Sequence, residues 1–127
     1  MIINTPVSLG ELMDKISILK IKKKNIHNKE KLINVNEELL LLEETLLKSV
    51  NDKKADKYMN ELIKVNLELW KIEDDIRDCE RNKQFDQKFI DLARAVYFTN
   101  DQRSQIKLDI NNYFGSTIVE VKSYEKY

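Results

Sequence analysis

Chain breakers are almost missing from this sequence. It has two glycines and one proline in 127 residues. Gly and Pro mark the turns of sandwiches, barrels and phosphate-cradling loops, so those classes are disfavoured and long helices are favoured. A single cysteine, Cys79, excludes an intramolecular disulfide and makes a reducing cytoplasm the expected compartment. No apolar run approaches the ~20 residues a membrane span needs, so no membrane partner is expected. Met1–Pro6 lacks the basic start and apolar core of a signal peptide. An excess of either charge is absent as well. Lys+Arg and Asp+Glu are both 22. Nucleic-acid binders usually carry a basic excess, because phosphate neutralisation drives their affinity, so that class is disfavoured. Arginine is scarce in a Lys-rich chain. Arg77, Arg81, Arg94 and Arg103 are the only four, all between positions 77 and 103.

What remains is 42% hydrophobic and 35% charged residues, a globular composition long enough for one core. The reading is a single all-α domain over residues 1–127, with short extended termini. Ser8-Leu9-Gly10-Glu11 is a capping box, and Leu9, Leu12, Met13, Ile16 and Leu19 follow at helical spacing, predicting a first helix over about 9–24. Glu11, Asp14 and Lys15 on it read as cap and surface pairs. After a turn at 25–28, Leu32, Val35, Leu39, Leu42 and Leu46 form a coiled-coil seam, widened by Ile33, Leu40 and Leu47. Beyond Asn51-Asp52-Lys53, a third helix repeats the rhythm from Tyr58 to Cys79. Adjacent seams with a short link predict an antiparallel hairpin of the second and third helices.

Asn82-Lys83-Gln84 breaks the third helix. A fourth then starts with Asp86 as N-cap and Phe85 stapled to Ile90. Thr99-Asn100-Asp101-Gln102 suggests another cap opening a fifth helix, with Gly115 at its end. Two shorter C-terminal helices are thus expected beside the hairpin. The alternating, β-branched run from Thr117 to Tyr124 predicts a short strand, with Ile2 and Ile3 as a partner.

Two polar groups are candidates for chemistry. Asn66, Trp70, Glu73, Arg77 and Glu80 are spaced four, three, four and three, on one face of the third helix. That stripe is either a packed Trp with solvated ion pairs or a pocket floored by Trp70. The second group is Arg94, Tyr97, Asn100, Asp101, Arg103 and Lys107. At a new helix N-terminus it would offer free N–H groups beside guanidinium forks, a setting for phosphate or carboxylate. If the two groups converge, Trp70, Glu73, Arg77, Arg94, Tyr97, Asn100, Arg103 and Lys107 make one anion pocket. A nucleotide or sugar phosphate is the expected ligand class, with no metal and no cofactor.

His27 is the only histidine and sits in a turn rich in lysine, without a ligand partner. Cys79 lies on the seam of the third helix as a buried thiol. Acidic pairs invite comparison with all-α nucleotide pyrophosphohydrolases, which hold magnesium with an E-E-x-x-E helix and a following E-x-x-D. Here Leu41 and Ile76 stand where acids belong. A magnesium-dependent hydrolase using Glu73 and acids of the second helix is therefore a second reading. A structural module that forms a homodimer through apolar helix faces is a third. The opening helix also superficially resembles that of the helical chorismate mutases, but the paired arginines of that active site are missing from the first half of the chain.

Three segments carry a further resemblance: SLGELMDKISILKIKKKNI, ELWKIEDDIR, and FIDLARAVYFTNDQRSQIKLDIN followed by EVKSY. Together they resemble an uncharacterised bacterial and phage family, a domain of unknown function, over nearly the whole chain. The resemblance implies an all-helical domain and an association with glycan or cell-surface gene sets, and it implies no reaction. Its motif positions are Trp70, Glu73, Arg77, Arg94, Tyr97, Asn100, Asp101 and Arg103.

Overall fold

Leu9–Asn25, Lys29–Ser49, Lys54–Arg81 and Gln87–Phe114 form four helices, α1 to α4, in a computed structural model that describes all residues 1–127. There are no strands. The starts follow side-chain capping. Ser8, Asn28 and Asp86 each accept a hydrogen bond from the amide three residues on, in Glu11, Lys31 and Phe89. The ends follow backbone geometry. Gly115 closes α4 at φ +69°, where a side chain would be strained, and the Ser116 amide returns to the Asn111 carbonyl. Phe85 packs edge-on against Phe89, with ring centroids 5.3 Å apart.

α1 is the axis of the fold. It approaches α2, α3 and α4 at backbone distance, and its buried residues occupy two sides: Leu12, Met13, Ile16 and Leu19 on one, Gly10, Asp14 and Ser17 on another. The apolar core joins that first side to Val35 and Leu39 of α2, Met59 and Leu62 of α3, and Ile110 of α4. The long antiparallel pair is α3 with α4. Tyr58 at the start of α3 packs edge-on against Phe114 at the end of α4, at 6.2 Å. The expected coiled-coil hairpin of α2 and α3 is not formed at backbone distance, since no Cα of one lies within 8 Å of the other. The α2 seam faces the core beside α1, and the start of the α3 seam, Tyr58 and Leu62, joins that same core. An apolar helix face is equally satisfied by any apolar neighbour, so the rhythm predicts burial but not the partner.

Two further expectations change. α4 is one helix through Thr99-Asn100-Asp101-Gln102. A side-chain cap contributes only about 1 kcal/mol, whereas Val96, Thr99, Arg103, Lys107 and Ile110 form a continuous face towards α1 and α3 with no Gly or Pro to interrupt it. Thr99 is buried on that face and Asn100 receives the Arg103 Nη1 hydrogen bond at 3.3 Å. The expected helix N-terminus, with its free amides, therefore does not exist there. The tail after Ser116 forms no strand, and Ile2 and Ile3 remain exposed.

α1 comes close to α4 at Gly10. Its amide donates to Asn111 Oδ1 at 2.7 Å, and a Cβ there would stand 2.5 Å from the Lys107 carbonyl oxygen. Gly10→Ala must push α1 away from α4. It is expected to lose about 1–3 kcal/mol of unfolding free energy in urea denaturation, and an unchanged midpoint would contradict the contact.

Candidate ligand-binding cleft

Asp14 is the polar centre from which the site is built. It is only 1% exposed, on the helix that packs against all three others. An isolated buried carboxylate is costly, so it must be paired. Its Oδ1 accepts from Asn66 Nδ2 of α3 at 2.9 Å and from Arg103 Nε of α4 at 3.0 Å. Its Oδ2 accepts from Arg103 Nη2 and has Lys107 Nζ at 3.9 Å. Asn66 Nδ2 also donates to Ser17 Oγ at 2.7 Å. One carboxylate thus links three helices, and the bidentate fork sets the rotation of Arg103. The hydrogen bond to Asp14 raises the Arg103 pKa further.

Two depressions flank this centre. On one side is a cleft of about 480 Å³ between α1, α3 and α4, lined by Trp70, Glu73, Arg77, Asn100 and Arg103, with Ile18, Ile21, Asn66 and Val96 as floor and wall. Five of the eight expected residues therefore meet, from two segments far apart in sequence. The α3 stripe arrives through its helical spacing, and Asn100 and Arg103 arrive because α4 runs back along α3. Glu73 Oε2 accepts from Arg77 Nη2 at 3.1 Å, in an exposed pair four residues apart.

On the other side, the tail crosses α4 and encloses a groove of about 1050 Å³ that includes Tyr97, Asn100, Lys107, Glu120 and Tyr127. Asn100 is the residue common to both depressions. Lys107 is buried and donates to Glu11 Oε2 at 2.7 Å and Glu120 Oε2 at 3.3 Å. Burial alone would lower its pKa; the Glu11 hydrogen bond and the charges of Asp14, Glu11 and Glu120 outweigh that and raise it. Tyr127 packs edge-on against Phe98 at 4.9 Å and Tyr97 at 5.4 Å, and its hydroxyl donates to Asp101. That carboxylate pushes the phenol up to about 12.

Three expected residues stay outside the Trp70 cleft. Arg94 is exposed and lies over the Phe98 ring, 5.8 Å from its centroid. Tyr97 and Lys107 face the tail groove. Asp14 was expected at the surface and is instead the most committed charge in the chain. The overlooked signal is the column Gly10, Asp14 and Ser17, spaced four and three, of small or short polar residues beside an apolar face. Such a column permits close helix approach. The acids of α2 do not gather near Glu73, and no group of three or more His, Cys, Asp or Glu side chains is placed to hold a metal ion. No helix is long and apolar enough to cross a membrane.

Fold and cleft together define an all-helical domain organised on one buried ion-pair network. The chain belongs to a family of unknown function, DUF6165, whose model matches residues 3–127. No curated protein and no solved structure matches it.

Two outcomes test these contacts. Asp14→Ala strands a guanidinium and is expected to cost about 3–5 kcal/mol in chemical denaturation, more than removal of the exposed Glu73–Arg77 pair, at about 0–1 kcal/mol. Glu120 has its pKa lowered, chiefly by the Lys122 hydrogen bond; burial opposes this, and the charge and hydrogen bond of Lys107 add to the lowering. A lowered carboxylate pKa means that its contacts contribute at neutral pH and fade as pH falls below the usual glutamate value of about 4.3. The tail should therefore detach from α4 in acid before the helices melt. NMR signals of the Tyr127 ring should move to free-tyrosine positions while helical circular dichroism persists.

Proposed function

We propose that this protein is a binding module for a small anionic molecule, a nucleotide or sugar phosphate, taken up in the Trp70 cleft. One observation carries the reading: an exposed guanidinium, an indole and two amides converge on a cleft whose second guanidinium is already held rigid from behind. The volume falls within the ~300–1,000 Å³ of small-molecule sites. Trp70 offers an apolar face to a base or sugar ring. Arg77 is the charge available to an anion, because its bond to Glu73 is a solvent-exposed pair of small worth that a phosphate can replace. Arg103 is different. Asp14 neutralises it, so it contributes fixed N–H direction rather than net charge. Asn66 and Asn100 add polar groups at the wall.

This division gives an asymmetric expectation. Arg77→Lys keeps the charge but loses the fork, and should weaken binding of a nucleoside monophosphate or hexose phosphate roughly tenfold, equal to about 1.4 kcal/mol. Trp70→Ala should weaken it at least as much. Both variants should keep the wild-type melting temperature to within a few degrees. Isothermal titration against a panel of both ligand classes, with and without magnesium, measures this. Absence of heat with every member, or affinity untouched by both substitutions, refutes the proposal. Binding that requires magnesium favours the hydrolase reading.

A further inference from the structure

α2 has two apolar faces but only one close neighbour. Val35 and Leu39 are buried in the core beside α1. Ile33, Leu40 and Leu47 are 57%, 68% and 78% exposed. Seven residues are nearly two helical turns, so these three lie in one stripe, about 120° around the helix from the buried face. Neither α3 nor α4 comes within 8 Å of α2 at the Cα level. Beside the stripe lies a groove of about 770 Å³ whose lining includes Asn36, Leu40, Ile63 and Leu67. Asn36 Oδ1 is buried there without a hydrogen-bond partner. Scattered exposed leucines are ordinary, whereas three at heptad spacing on one helix form a helix-pairing surface.

We propose that this stripe is the contact between two copies of the chain, with α2 lying antiparallel against α2 of the partner. Charge order along the helix selects both occupant and direction. Lys29 and Lys31 flank Glu30 at the start of α2; Glu43 and Glu44 near its end precede Lys48, with which Glu44 makes an exposed ion pair at 2.9 Å that a partner's lysine can share. A parallel pair sets lysine against lysine and glutamate against glutamate. An antiparallel pair, with its two-fold between Asn36 and Glu37, sets Ile33 opposite the partner's Leu40 and Lys29 opposite the partner's Glu44. Ile33 and Leu40 are then their own complement, as a two-fold contact requires, and Leu47 lies opposite the partner's Ile26, just ahead of α2. Glu43, which this register brings towards the partner's Glu30, has Lys20 of its own chain at 3.9 Å. A contact of one helix on one helix is small beside the ~1,200–2,000 Å² of stable interfaces, so the dimer is concentration-dependent.

Sedimentation equilibrium of the full chain, from low micromolar to hundred-micromolar concentration, tests the proposal. The mass should rise from one chain to two. Leu40→Glu should hold it at one chain, with unchanged helical circular dichroism. Lys29→Glu should weaken association several-fold, and Lys29→Glu combined with Glu44→Lys should restore it. A monomer at every concentration, or a dimer indifferent to Leu40→Glu, overturns the proposal. Failure of the charge reversal to restore association overturns the antiparallel pairing. None of these substitutions touches the Trp70 cleft, so ligand binding stands or falls separately.

Discussion

Everything in this structure is arranged around one buried carboxylate. Asp14 sits on the helix that all others pack against, and it takes hydrogen bonds from α3 through Asn66 and from α4 through Arg103. Apolar burial supplies most of the driving force for folding, but apolar contacts between helices are poor at fixing rotation and register. The Asp14 network is directional. It is satisfied only when α3 and α4 present Asn66 and Arg103 at the right height. Buried ion pairs are uncertain contributors to net stability and better attested as devices of specificity. Here the device also fixes which residues of two helices face the cleft.

That coupling explains what was legible in the sequence and what was not. Caps and seams are local, so the ends of α1, α2 and α3 and the break at Asn82-Lys83-Gln84 could be read from nearby residues. The Trp70, Glu73 and Arg77 face needed only helical spacing. The error at Thr99-Asn100-Asp101-Gln102 arose because strong capping residues were serving tertiary roles. Thr99 is buried, Asn100 braces Arg103, and Asp101 receives the Tyr127 hydroxyl. The pairing of α3 with α4 rather than with α2 was illegible for another reason. α2 and α3 are both striped with leucine and isoleucine, and the choice among apolar neighbours rests on Gly10, Asp14 and Ser17, three small or polar residues on a different helix.

Gly10 and Asp14 are also one mechanism seen twice. Without a side chain, Gly10 lets the α4 backbone come close enough for Asn111 to reach its amide. That closeness brings Lys107 and Arg103 onto the first helix, where Glu11 and Asp14 wait for them. Steric permission at one turn and charge pairing at the next act on the same contact. Lys107 then passes the arrangement outward by holding Glu120, and through it the tail. The tail is therefore secured by charge at one point and by aromatic contact with Tyr97 and Phe98 at another.

The four arginines consequently do not form one functional set, although they cluster in sequence. Arg81 pairs with Asp78 on its own helix, and Arg94 lies over Phe98. Arg103 is structural in charge and directional in geometry. Arg77 alone stands at the cleft with a partner it can exchange. A site that recognises an anion needs both a fixed wall and a charge that is free to respond, and a residue bound to a buried acid cannot supply the second. The burial of Asp14 thus separates the two roles: it spends Arg103 on positioning and leaves Arg77 as the group on which recognition of a charged ligand would turn.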